Sequence, residues 1–181
     1  MDTTNIETYL NNFGQKVVDD AKANLQSDKG STAVGRSIRF EVVPTDTGFS
    51  TKFYMLDYGE FLDKGVSGNK EKRSFKNYKG QTQSSPYSYT SKGPPIDIIS
   101  KWIKKKGIEP KGLGRGRSKN TGQYISGFAY LISKKIKRDG IKSLSFFQQP
   151  FGIEYEKLQE ELLTELKSDI ETYITTFYRP K

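Results

Sequence analysis

The chain has 181 residues, of which 33% are hydrophobic and 28% charged, and its 30 basic and 21 acidic side chains give a net charge of +9. It contains neither Cys nor His, which excludes disulfides, thiol nucleophiles, imidazole bases and Cys/His zinc sites. A chain of this length normally folds as one domain, so we predict a single domain over residues 1–181 that is not an enzyme and holds no metal or cofactor.

The first predicted element is a helix over about residues 4–27. Thr4 and Glu7 have the spacing of a capping box, in which the Thr4 hydroxyl accepts the backbone N–H of Glu7. Apolar side chains then recur every three or four residues on one face: Ile6, Leu10, Phe13, Val17, Ala21 and Leu25. This stripe indicates an amphipathic helix packed on a core.

A β-hairpin is predicted next. Ile38, Phe40 and Val42 alternate with charged residues, as in a strand with one buried face, until Pro44 removes a backbone donor. Turn-forming residues occupy 45–48, and apolar or Thr side chains alternate again after them: Phe49, Thr51, Phe53 and Met55. Two strands alone are marginal in water, so we expect this hairpin to pack on helices.

The middle of the chain is predicted to hold two long loops, at about residues 66–93 and 108–122. Both are rich in Gly, Ser and Lys and have no sustained hydrophobic period. A short helix over about 95–106 lies between them, because prolines precede the apolar pattern, lysines follow it and Gly107 comes after. Trp102 is at helical spacing from its apolar neighbours, and we expect it in the core.

Two more helices complete the pattern. One is predicted over about 121–138. The other has roughly 23 residues, follows an aromatic turn at 146–151 and runs nearly to the C-terminus. The sequence thus predicts an α+β fold, in which a small antiparallel sheet packs against the N-terminal helix, the central helices and the long C-terminal helix.

Charge is distributed unevenly along the chain. Residues 64–142 carry 20 basic and 4 acidic side chains, a net charge of +16, whereas the segments before and after them have net charges of −4 and −3. A basic block between acidic ends attracts phosphate backbones, and it equally attracts the acidic surface of another copy. The charge distribution alone does not decide between these two kinds of partner.

Membrane insertion is not expected. No run approaches the roughly 18 apolar residues that a spanning helix needs. The first ten residues, MDTTNIETYL, are neither basic nor followed by an apolar signal core, so we do not expect signal-driven secretion either.

Three segments, taken in order, carry a resemblance to a known family. They read YGEFLDKG at 58–65, GPPI at 93–96 leading to KWIKKKGI at 101–108, and AYLISKKI at 129–136 followed by DGI. Together they resemble the tail-completion or neck (head–tail joining) proteins of tailed bacteriophages, the minor tail component family. The positions that match its motifs are Tyr58, Phe61, Leu62, Gly65, Pro94, Pro95, Trp102, Ile103, Gly107, Ala129, Ile132 and Gly140.

The resemblance implies a virion protein with no catalytic activity. Members form a homo-oligomeric ring, six- or twelve-fold here, between the portal or adaptor proteins and the tail, and the particle is assembled in the host cytoplasm. Family members have an aromatic strand that ends in an acidic-x-Gly turn, which the resemblance places at 58–65. Two features depart from the pattern, namely the length of segment 66–92 and the Gly-Arg loop at 112–117.

The basic loops supply candidate contacts, with the passing DNA or with acidic patches on neighbouring virion proteins: Lys70, Lys72, Arg73, Lys76, Arg115, Arg117 and Lys119. We favour the protein partners slightly, because strong DNA retention would oppose its movement. The alternative function is a basic, non-specific nucleic-acid-binding protein. The last helix is expected to have an acidic exposed side, which is a solvated face by default and in a ring could meet the basic face of a neighbour: Glu156, Glu160, Glu161, Glu165, Asp169 and Glu171.

Overall fold

The computed structural model describes residues 4–27, 32–108, 115–117 and 124–177. Its elements, in chain order, are α1 (Thr4–Ser27), α2 (Thr32–Ser37), β1 (Arg39–Thr45), β2 (Gly48–Tyr54), α3 (Tyr58–Lys64), β3 (Ser74–Lys76), β4 (Thr82–Ser84), α4 (Ile96–Lys105), β5 (Arg115–Arg117), β6 (Tyr124–Ser126), α5 (Gly127–Asp139) and α6 (Gln148–Phe177). Helices and short antiparallel strands together confirm the predicted α+β class.

The chain divides into two compact units. The first comprises residues 1–63, 76–83 and 144–181, and the second comprises 64–75 and 84–143. The prediction of one domain stays a prediction, since compact units of one chain can share a domain.

In the first unit, α1 packs against the β1–β2 hairpin and against α6. The core joins one face of α1 to α2 and to the start of α6, through Val18, Ala21, Leu25, Val34, Ile38 and Phe146. Strands β1 and β2 are antiparallel and place Phe40 opposite Phe53. The Phe40 ring lies so close to Gly14 of α1 that a β-carbon there would collide with it. The predicted helix at 4–27 and the predicted hairpin are both confirmed.

The segment at 58–65 is a helix, α3, so the strand that the resemblance implied there is wrong. Gly65 follows α3 with φ of +73°. A left-handed glycine directly after the last turn is a common way to end a helix. The acidic-x-Gly sequence therefore marks a helix end in this protein.

The C-terminal helix is longer than predicted. Helix α6 has 30 residues and begins at Gln148, so the expected aromatic turn is its first turn. Pro150 is tolerated there because the first backbone N–H groups of a helix have no partner within the helix. Phe147, Phe151 and Tyr155 follow one another at four-residue spacing, with ring centroids 5.9 and 5.7 Å apart, and they extend the apolar stripe of the helix.

In the second unit, α4 and α5 pack on each other around Ile99, Ile103 and Ala129. Helix α4 agrees with the predicted helix at 95–106. Helix α5 begins at Gly127 and not near 121, because Tyr124–Ser126 pairs with Arg115–Arg117 as an antiparallel strand. The rest of the predicted loop at 109–122 lies outside the described residues.

The predicted loop at 66–93 is structured in part. It contains β3 and β4. Within the second unit, Val66 bridges to Ile141 and Ser67 to Ser88, and Phe75 is buried. Short bridges of this kind pair residues that are distant in sequence, so the local hydrophobic pattern could not predict them.

Candidate functional site

The residues that carry the family resemblance serve mainly as helix ends and packing positions. Leu62 packs against the first unit's core, while Ile103, Ala129 and Ile132 belong to the α4–α5 core. Pro95 precedes α4, and the Pro94 carbonyl accepts the Ser133 hydroxyl at 2.7 Å. Left-handed glycines follow three of the helices: Gly65, Gly107 and Gly140.

Three aromatic positions of the motifs face solvent. Tyr58 and Phe61 are exposed on α3. Trp102 is 47% exposed, so its predicted place in the core is wrong. Helix α4 buries Ile99 and Ile103, and Trp102 lies at the edge of that face beside the exposed Ile98. The apolar side chains of α4 therefore extend around the helix beyond the face that packs in the core.

The predicted basic contacts do not form one group. Arg73 is held within the second unit, where its Nη2 lies 2.7 Å from Glu71 Oε2 and its Nε donates to the Asp139 carbonyl at 2.8 Å. Lys72 and Lys76 are exposed. Arg115 and Arg117 lie in β5, and Lys119 is outside the described residues. Among those whose side chains the structure describes, Lys70 lines the cleft described next.

A basic cleft of about 630 Å³ lies on the second unit. We define it by its lining residues: Asn69, Lys70, Leu131, Lys134, Lys135, Lys137 and Arg138. Five of the seven are cationic and none is acidic. Sequence reasoning did not single out four of these cations, which all lie within a predicted helix: Lys134 and Lys135 belong to the motif at 129–136, and Lys137 and Arg138 follow it.

Backbone contacts fix the shape of the basic cleft. The N–H groups of Asn69 and Lys70 donate to the carbonyls of Lys137 and Arg138, at 2.9 and 3.0 Å. They thereby satisfy two of the carbonyls that the end of α5 leaves without a helical partner. A β-carbon on Gly68 would collide with the Arg138 carbonyl, so the close approach requires glycine.

The Arg138 guanidinium also pairs with Asp139, with Nη2 2.9 Å from Oδ2. This hydrogen bond lowers the pKa of Asp139 and raises that of Arg138.

An apolar groove of about 710 Å³ lies on the first unit. Side chains of α1, the β1–β2 hairpin and α6 line it: Ile6, Leu10, Phe13, Thr47, Gly48, Phe49, Thr51, Phe53, Phe147, Phe151, Tyr155, Leu158, Leu162 and Leu166. None of these described lining residues is charged. Sequence reasoning assigned several of these side chains to a closed core, whereas here the three elements leave a gap between them.

Two carboxylates of α6 are buried, Asp169 and Glu154, and the burial of Asp169 contradicts its predicted place on the exposed acidic side. Asp169 is 2% exposed, and its oxygens accept the backbone N–H groups of Asn5 and Ile6 at 3.3 and 3.2 Å. Glu154 lies 2.9 Å from Lys16 and 3.1 Å from Lys157. The other predicted acidic residues of α6 that are exposed include Glu156, Glu160 and Glu161.

A hydrogen bond also joins Tyr9 to α6, since its hydroxyl donates to Glu161 at 3.0 Å. Burial and this bond to a carboxylate raise the pKa of Tyr9 to about 12. The acidic side of α6 thus partly serves to hold α1.

Among the described residues, no three Asp or Glu side chains converge as a metal site would require. Within the same residues, no helix is long and apolar enough to cross a bilayer. No protein-family model matches the sequence, and neither a curated protein nor a solved structure matches it.

Proposed function

We propose that the protein is a structural, non-catalytic component of a tailed-phage virion. In this proposal it assembles into a six- or twelve-fold ring at the neck or the tail terminus and joins the portal and adaptor proteins to the tail. Assembly takes place in the host cytoplasm, and the mature location is the virion.

The observation that carries the proposal is the apolar groove of the first unit. Phe and Leu side chains make up most of its lining, and no charged side chain lines it within the part of the chain that the structure describes. Monomeric proteins rarely leave a contiguous apolar surface of this kind open to water, and such surfaces typically mark interfaces. A protein that works by docking to others needs such a surface.

The distribution of charge supports assembly in a ring. The second unit carries 18 basic and 4 acidic side chains, a net charge of +14, and the first carries 12 basic and 17 acidic, a net charge of −5. Neighbours in a ring meet through two different surfaces, so opposite charges on one chain favour head-to-tail contact without self-repulsion.

The resemblance to tail-completion proteins supports the place of the ring in the particle. Two of its motif residues occupy positions where only glycine fits. Gly65 and Gly140 have positive φ, and backbone atoms lie so close to them that a side chain would collide. Retention of such positions in order along the chain is a more specific resemblance than composition alone.

Two adjacent leucines of α6 allow a matched test. Leu162 lines the apolar groove, and Leu163 is 65% exposed outside it. We expect Leu162→Gln to abolish rings seen by negative-stain microscopy of the purified protein, alone or with its virion neighbours. Leu163→Gln should leave them intact, and both variants should stay folded by circular dichroism.

The same pair tests the function in the particle. A phage that carries Leu162→Gln should accumulate separate heads and tails, whereas Leu163→Gln should give joined particles. The proposal is wrong if the wild-type protein is strictly monomeric with its neighbours and if its deletion leaves particles fully joined.

A further inference from the structure

The basic cleft carries five cations, and the carboxylates that act on them, Asp139 on Lys135 and Arg138 and Glu71 on Arg138, neutralise only part of this charge. Within the described residues, Lys70, Lys134 and Lys135 have no carboxylate at ion-pair distance. Arg138 does pair, with Asp139. A concave surface lined by one sign of charge focuses the field and raises the local concentration of counter-ions.

Contacts with the rest of the second unit restrain several cations of the basic cleft. Lys70 belongs to a turn whose backbone is bonded to the end of α5, as described above. Lys137 donates to the Ser91 carbonyl at 2.6 Å, and the Lys134 ammonium lies 5.5 Å from the centre of the Tyr130 ring. The charges are therefore held near one another.

The spacing of these cations along α5 is unfavourable in the isolated protein, because like charges repel. Lys134 and Arg138 are four residues apart on α5, and Lys134 and Lys137 are three apart. Like charges at these spacings destabilise a helix. A bound polyanion would remove this repulsion.

The lining favours phosphates over a protein partner. Leu131 is its one apolar side chain, whereas the centres of protein interfaces are apolar and depleted in charge. Four of the five cations are lysines, which act as point charges and not as planar forks that read a base edge. Such a set suits a repeating backbone of phosphates.

We infer that the basic cleft binds the phosphate backbone of nucleic acid without reading its sequence. This inference goes beyond the proposed structural function and does not depend on ring formation. Of the contacts that the sequence suggested, it keeps Lys70, and it adds the cations of α5.

The size of the cleft sets the expected salt dependence. From Lys134 to Arg138, α5 rises about 6 Å, at 1.5 Å per residue. Duplex DNA carries one charge per about 1.7 Å of its axis when both strands are counted, so phosphates are available along this length for the three lysines that have no carboxylate at ion-pair distance. The logarithm of the binding constant should then fall with the logarithm of salt concentration with a slope of about −3.

The test measures binding of the full-length protein to a fluorescent duplex of arbitrary sequence, by anisotropy at several salt concentrations. A cleft variant combines Lys70→Gln, Lys134→Gln and Lys135→Gln. A control variant makes the same change in charge on exposed lysines of the first unit, with Lys52→Gln, Lys79→Gln and Lys167→Gln. Single-stranded DNA of equal length shows whether the backbone is bound in duplex or single-stranded form.

We expect the cleft variant to lose at least about tenfold in affinity and its salt slope to approach zero, because each lysine that is removed reduces the slope by about 1, with little change in the control. Equal losses in both variants, or unchanged binding by the cleft variant, would overturn the inference. So would competition by polyglutamate as strong as that by DNA of equal charge, since the cleft would then be a protein-docking surface. If the triple variant does not fold, Lys134→Gln alone should reduce the slope by about 1.

Discussion

Two buried aspartates illustrate how single residues tie distant segments of the first unit together. The Asp63 carboxylate accepts the Phe147 backbone N–H at 2.8 Å and so caps the start of α6. Asp169, near the other end of α6, caps the start of α1 in the same way, because its carboxylate accepts the backbone N–H groups of Asn5 and Ile6. A carboxylate at a helix N-terminus both satisfies free donors and complements the helix dipole. Both caps are tertiary contacts.

Removal of the Asp169 carboxylate should destabilise the protein. We expect Asp169→Ala to lower the free energy of unfolding in urea by about 1–3 kcal/mol, because two N–H groups lose their acceptor in a buried place. Glu160→Ala, at an exposed position of the same helix, is the control and should change it by about 0.5 kcal/mol or less. Equal effects of the two substitutions would show that the cap contributes nothing.

Glu154 gives a pH-dependent contribution to stability. Burial by itself raises its pKa, but hydrogen bonds from Lys16 and Lys157 outweigh burial and leave the pKa below its ordinary value. A lowered pKa in the folded state means that the carboxylate stabilises the protein above its unfolded pKa, and that this stabilisation is lost as the pH falls through the folded pKa.

Glu154→Gln should therefore be less stable than the wild type by about 0.5–1 kcal/mol near neutral pH, a small value because both lysines are largely exposed. The difference should shrink as the pH falls below the ordinary range for Glu and the wild-type carboxylate becomes protonated. Urea unfolding over this range of pH measures it, with the exposed Glu156→Gln as control. A difference that is constant with pH would contradict the assignment.

At the scale of elements, helix α4 has a buried and an exposed apolar side. Ile103→Ala should lower the free energy of unfolding by about 2–4 kcal/mol, since it opens a cavity in the α4–α5 core. Trp102→Ala should lower the free energy of unfolding by less than about 1 kcal/mol.

Trp102 is the only tryptophan, so its emission should be red-shifted and quenched by iodide in the unassembled protein. Blue-shifted, protected emission would place it in a core.

Elements defined by local pattern were predictable, and those defined by distant partners were not. The stripe from Leu10 to Leu25 and the alternation around Phe40 were sufficient for α1 and the hairpin. The start of α6 depends on Asp63, some 85 positions away, and the start of α5 depends on the pairing of Tyr124–Ser126 with β5. Neither contact leaves a periodic signal in the sequence.

The candidate sites follow the same rule. The run of cations from Lys134 to Arg138 is visible in the sequence, but its junction with Lys70 exists only through the turn bonded to α5. The apolar groove is formed by three segments that are remote in sequence, and composition does not distinguish its lining from a closed core. The exposure of Trp102 likewise depends on how wide a face α5 covers.

At the scale of the whole molecule, the proposed ring unites the apolar groove with the unequal charges of the two units. Its most direct test is the mass of the purified full-length protein, by native mass spectrometry and light scattering over a range of concentrations. The proposal predicts a closed species of six or twelve times the 20.6 kDa chain, alone or when virion neighbours are added. A 20.6 kDa species at every concentration, with and without those neighbours, would contradict it.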